Sequence, residues 1–148
     1  MAVQKDFKEL LESLNNHEVE YVIVGGYALA FHGAPRFTGD LDIFVKPDKS
    51  NARRVLDALN DFGFGSVNLT GDDFSVPDQV IQLGVPPIRV DIITSITGVT
   101  WEEAWKGKVK GEYGDVATCY IGLAEFTANK RALGRKKDLA DLEALGKE

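Results

Sequence analysis

Asp40-Leu41-Asp42-Ile43-Phe44-Val45 alternates acidic and apolar side chains and then runs out into an apolar stretch closed by Pro47. On a β-strand, residues two apart share a face, so Asp40 and Asp42 stand side by side while Leu41 and Ile43 point into a core. Adjacent like charges repel, and a strand does not favour the pair unless a cation neutralises it. Carboxylates that converge in this way suit hard divalent cations, which also grip phosphate oxygens. The strand therefore points to metal-assisted phosphoryl chemistry.

Upstream, Tyr21-Val22-Ile23-Val24 is a β-branched run that ends at Gly25-Gly26, which predicts a strand entering a tight turn. Tyr27 to His32 favours a short helix stopped by Gly33 and Pro35. Phe7, Leu10, Leu11 and Leu14 give one face of a helix over residues 4–16. Downstream, Ser50 is the expected cap of a helix striped by Val55, Leu56, Leu59 and Phe62 and ended at Gly63 and Gly65. Within residues 66–87, Phe74-Ser75-Val76 and Val80-Ile81-Gln82-Leu83 read as strand fragments between loops.

Ile88 to Ile93 is a firmer strand and carries a third acid, Asp91, in Arg89-Val90-Asp91-Ile92-Ile93. Thr100-Trp101-Glu102-Glu103 has the form of a capping box. A strand at 116–121 and helices at 123–133 and 135–145 complete the chain, and Trp101 and Trp105 share a helical face suited to a core. This mixed order predicts an α/β (α+β) sheet with helices packed against it, in one domain over residues 1–148.

Composition narrows the function. The apolar share of 44% and charged share of 27% are those of a soluble globular protein. No apolar run approaches a membrane span and no signal-peptide core precedes the first helix, so a cytoplasmic protein with no membrane contact is expected. Cys119 is the sole cysteine, and His17 and His32 are far apart, which leaves only oxygen-bound metal. A net charge of −6 argues against a broad duplex-binding surface, yet Lys130, Arg131, Arg135, Lys136 and Lys137 form a local basic patch.

A strand, Gly25-Gly26, a short helix, the pair Asp40/Asp42 and a third strand-borne acid at Asp91 together resemble the polymerase-β-type nucleotidyltransferase superfamily, over about residues 20–95. The tail, from Leu123 through Lys130, Gly134, Arg135, Lys136, Lys137 and Asp138 to Asp141, is similar to the end of small bacterial nucleotidyltransferases. Those include relatives of abortive-infection toxins and aminoglycoside nucleotidyltransferases. The resemblance implies a nucleotidyltransferase-type mixed β-sheet flanked by helices, with helices closing the C-terminal side.

It also implies NMP transfer from an NTP, with Asp40, Asp42 and Asp91 catalytic and binding Mg²⁺ or Mn²⁺. Gly25 and Gly26 leave no side chain between backbone and ligand, so amide N–H groups at a helix start could hold the triphosphate. Arg36, Thr38, Lys130 and Lys137 are further nucleotide-binding candidates. Many relatives place a serine where this chain has Gly26, so that phosphate contact is lost or falls to Thr38 or Arg36. Lys137, Asp138 and Asp141 also admit a plain reading as a surface salt-bridge ladder.

The acceptor stays open among an RNA end, a protein and a small molecule. Its recognition falls to residues 66–87, the C-terminal helices or a second subunit, whether a partner protein or a homodimer copy. The toxin half of a two-gene toxin–antitoxin system is one alternative. A non-catalytic nucleotide- or partner-binding module is another.

Overall fold

The computed structural model describes residues 3–35, 39–64, 68–85 and 87–147. The acid–apolar alternation forms β2 (Asp40–Val45), flanked by β1 (Tyr21–Val24) and β4 (Ile88–Ile93). With β3 (Val80–Val85), β5 (Val109–Tyr113) and β6 (Val116–Tyr120) these make a six-stranded sheet of order β3-β4-β2-β1-β6-β5. The sheet is mixed: β2 runs parallel to β4 and β1 parallel to β6, while the other neighbours are antiparallel.

Register does the decisive work. Asp42 lies opposite Val24 in β1 and opposite Asp91 in β4, and Asp40 lies opposite Arg89. Because side chains alternate, this single choice puts Asp40, Asp42, Arg89 and Asp91 on one face. Leu41, Ile43, Val90 and Ile92 then fill the other, where none is more than 2% exposed. A slip by one residue would bury the acids and expose the aliphatics.

The aliphatic face is covered by α1 (Lys5–Asn16), which buries Phe7, Leu10, Leu11 and Leu14, lies against β4 and β6 and packs on α3 (Lys49–Leu59). The cap of α3 is Asp48, whose carboxylate accepts the Asn51 amide at 2.7 Å, and not the expected Ser50. Asp48 is extended, at φ −133° and ψ 166°, as an N-cap residue is, while Ser50 already lies inside the first turn. Asn51, fully buried, donates to the carbonyls of Glu20 and Lys46 and accepts from the Glu20 amide. It thereby ties α3 to the start of β1 and the end of β2. A π-helical turn, Asn60–Phe64, ends that helix, with Gly63 at φ 116°.

Two further expectations change. Phe74 belongs to a one-turn helix, α4 (Asp72–Ser75), where a strand fragment was expected. Asp73 accepts the Thr70 amide at 2.7 Å, a local bond that favours a turn over a strand, and Phe74 is fully buried in a helix packed on α3. β5 was not anticipated at all. Its run Val109-Lys110-Gly111-Glu112-Tyr113 is broken by Gly111, where a β-carbon would press into the Phe31 ring.

The expected capping box at Thr100 and Glu103 opens α5 (Trp101–Gly107), and Trp101 packs edge-on against Phe44 with ring centres 5.1 Å apart. α6 (Leu123–Leu133) and α7 (Lys136–Ala144) close the fold within a residue of their expected bounds. Among the described residues no helix is long and apolar enough to cross a membrane. The architecture is the expected mixed sheet flanked by helices.

Candidate active site

The three acids meet at one end of β2 and β4, but not as three free carboxylates. Arg89 lies two residues before Asp91 on the same face and forks onto it, with Nε donating to Oδ1 at 3.1 Å and Nη2 to Oδ2 at 3.2 Å. The same Nε stands 3.6 Å from Asp40. Among the described residues no such ion pair reaches Asp42, which is half-buried. Burial, and then repulsion from Asp91 and Asp40, pushes its carboxyl up to about 7, against the pull of Lys130 and Arg89.

Gly25 explains how Asp42 is seated. The helix α2 (Gly25–Phe31) starts directly off β1, so the expected turn at Gly25-Gly26 is the first turn of a helix. Gly25 has φ 68°, a conformation that disfavours any side chain, and a β-carbon there would fall inside the Asp42 carboxylate. Glycine is thus required twice at this position. Gly26 is buried, whereas Gly25 lines the cleft that opens beside Asp42.

That cleft has a volume of about 590 Å³ and runs between the sheet end and α6. Val24, Asp42, Val80 and Ile93 form its sheet side, and Asn129, Lys130 and Arg135 its opposite side. Lys130 is only 8% exposed and is held at 3.3 Å by both Asp138 and Asp141 of α7. Arg135 donates from Nε to Asp138 at 2.6 Å and from Nη2 at 3.2 Å. Burial alone would raise Asp138, but the hydrogen bonds from Arg135 and Lys130 win and hold it below the usual carboxylate range.

The surface-ladder reading of Asp138 and Asp141 is therefore wrong. Both acids are buried and clamp a cleft lysine, because α7 turns back on α6 at Gly134, which has φ 64°. Lys137 is exposed on α7 and does not line the cleft. Arg36 and Thr38 lie outside the described residues. Arg135 is a cleft residue that the sequence offered only as part of a basic cluster, and Arg89 was passed over, although its i, i+2 spacing from Asp91 on a strand signals a shared face.

Oxygen donors of this kind suit a hard cation, and the repulsion that adds to burial in pushing Asp42 up is what a cation would relieve. Among the described residues, however, no group of three or more His, Cys, Asp or Glu side chains is gathered to hold a metal ion. The guanidinium of Arg89 takes that position against Asp91 and Asp40.

Comparison with solved structures finds the same fold in two other proteins. A candidate nucleotidyltransferase from Thermotoga maritima aligns over 93% of this chain and 88% of its own, at 21% identity and a TM-score of 0.63. An antigenic nucleotidyltransferase-like protein from Paracoccidioides brasiliensis aligns over 98% of this chain and 76% of its own, at 16% identity and a TM-score of 0.57. The chain belongs to the nucleotidyl transferase AbiEii toxin family of type IV toxin–antitoxin systems, whose profile matches residues 9–114. No curated protein matches it.

Proposed function

We propose that this protein transfers an NMP from an NTP to an acceptor hydroxyl in a Mg²⁺-dependent reaction, in which Mn²⁺ would also serve. One observation carries the reading: an acid crowded by two others stands on one side of an open cleft, and a buried lysine stands on the other. Acids alone would repel a triphosphate, and cations alone would bind it without chemistry.

Asp40 and Asp42 would hold the metal, with Asp91 completing the set. A bound Mg²⁺ supplies neutralisation of the phosphates and a lower pKa for the attacking hydroxyl. Lys130 and Arg135 attract the triphosphate from the opposite wall, and the α7 acids fix the lysine in place before substrate arrives. Gly25 keeps the backbone clear beside Asp42. The acceptor oxygen attacks the α-phosphorus in line, and the bond to the bridging oxygen breaks. Pyrophosphate leaves with that electron pair, and the hydroxyl proton passes to Asp91 or to water. Arg36 and Thr38 remain candidates for contacts to the phosphates.

The test is transfer of label from each α-labelled NTP, with Mg²⁺, into the RNA, protein and small-molecule fractions of a cell extract. Label that depends on Asp40 and Asp42 supports the reading and names the acceptor class. Nucleotide binding with no pyrophosphate released under any acceptor replaces it with a binding module.

The family assignment adds a physiological reading: the transfer harms the cell that makes the protein, in the cytoplasm, and a second gene product counters it. Growth arrest on expression, relieved by Asp42→Ala, is the expected result. Harmless high-level expression of the wild type overturns it.

A further inference from the structure

Arg89 is a cation that the sheet itself packs against its own acids. Its placement follows from sequence and register together. On β4 it shares a face with Asp91, and across the parallel pair it sits opposite Asp40. The fork onto Asp91 uses two N–H groups on two carboxylate oxygens, the geometry in which a guanidinium binds most firmly. The second carboxylate, Asp40, stands 3.6 Å from the same nitrogen. Arg89 is 30% exposed and Asp91 13% exposed along their side chains, so the pair is shielded from water without being sealed.

We infer that Arg89 is a resident counter-ion that a divalent cation must displace from Asp91, so that the affinity of this site for metal is set by the arginine fork. The inference rests on the metal-dependent reading above and adds to it a named residue that works against metal binding. Both oxygens of Asp91 are engaged by the fork, and an oxygen that accepts a hydrogen bond from a guanidinium competes poorly for a cation. A second positive charge a few ångströms away also repels the incoming one. Removing the fork takes away both obstacles. The same removal takes the fork away from Asp91 and its charge away from Asp40, so the metal-free protein loses stability that metal restores.

Direct binding of Mn²⁺, followed by the loss of the free-ion electron paramagnetic resonance signal, tests this without reference to turnover. Wild type, Arg89→Gln, Arg89→Lys, Asp42→Asn and Arg53→Gln are titrated, the last an exposed arginine on the far side of α3. Arg89→Gln is expected to bind Mn²⁺ about tenfold more tightly than wild type. Its melting temperature is expected to start lower without metal and rise further with it. Arg89→Lys keeps the charge and loses the fork, and about two- to threefold tighter binding is expected. Arg53→Gln should match wild type.

Equal or weaker Mn²⁺ binding by both Arg89 variants overturns the inference and leaves an ordinary strand ion pair. If Arg89→Gln does not fold, Arg89→Lys decides, and binding equal to wild type overturns. Asp42→Asn tests the underlying reading separately: wild-type binding that survives this change removes the site itself from consideration. No Mn²⁺ binding by wild type or either Arg89 variant overturns both.

Discussion

Two clusters of charge, one at the acid end of the sheet and one between α6 and α7, treat burial in opposite ways. Between the helices, Lys130 and Arg135 answer Asp138 and Asp141 in equal number, and direct hydrogen bonds hold Asp138 below its ordinary value. At the sheet end, Arg89 forks onto Asp91 and stands near Asp40, while burial, with repulsion from Asp91 and Asp40, pushes Asp42 up to about 7. A balanced cluster holds its side chains in place before any ligand arrives. An unbalanced one stores repulsion that a ligand can release, and this marks the sheet end as the place where binding energy becomes available.

The contrast breaks most completely at Asp42. Asp42→Ala should lower nucleotidyl transfer about 10³-fold while the far-ultraviolet circular dichroism stays that of the wild type. A variant that retains transfer would mean that the imbalance serves no chemistry.

At the balanced cluster the loss should appear in stability. Asp138→Asn leaves Lys130 buried with one acid in place of two, and about 3 kcal/mol of unfolding free energy should disappear in urea titrations. A loss below about 1 kcal/mol would show that the helix pair stands without its ions.

pH separates the two clusters by sign. The folded value of Asp42 lies above its unfolded value of 3.8. The native state therefore binds the extra proton between them, and stability falls as pH rises toward and through 7. In metal-free buffer the fall is expected to reach about 2 kcal/mol, reduced by partial solvent screening, and Asp42→Asn should flatten it. Asp138, held low, contributes in the other direction: its share is present above the unfolded value and is lost as pH falls through the folded one. Denaturation midpoints measured at pH 3, pH 5 and pH 8 in both single variants resolve the two slopes, that of Asp138 below pH 5 and that of Asp42 above it.

The smallest effect belongs to Lys137. Exposed and away from the cleft, it should change stability by less than about 0.5 kcal/mol on replacement by alanine. NTP affinity, followed by calorimetry, should move less than about twofold, whereas Lys130→Ala should lower it far more.

The acid strand, the third acid and the helix stripes were legible because each depends on local period and residue type. Asp40 and Asp42 share a face by alternation alone, and Phe7, Leu10, Leu11 and Leu14 by helical spacing. β5 and α4 were not legible, since the close approach of Phe31 to Gly111 and the burial of Phe74 against α3 are contacts made across the fold. The pairing of Lys130 with Asp138 and Asp141 was hidden for the same reason: charges eight and more residues apart meet only after the αL turn at Gly134. Arg89 was hidden differently. Its strand was read correctly, but a basic residue two positions before an acid passes for surface alternation until the β2–β4 register sets Asp40 opposite it.

That register has a consequence in time. β2 and β4 are joined only after all of α3 and β3 lie between them, and the wall that faces Asp42 comes from α6, later still in the chain. A polypeptide still emerging from the ribosome can form β1, α2 and β2 while lacking every cleft cation that lies on α6 or beyond. The two walls of the cleft are therefore made far apart in time, and the one that faces Asp42 is added only when α6 has been synthesised.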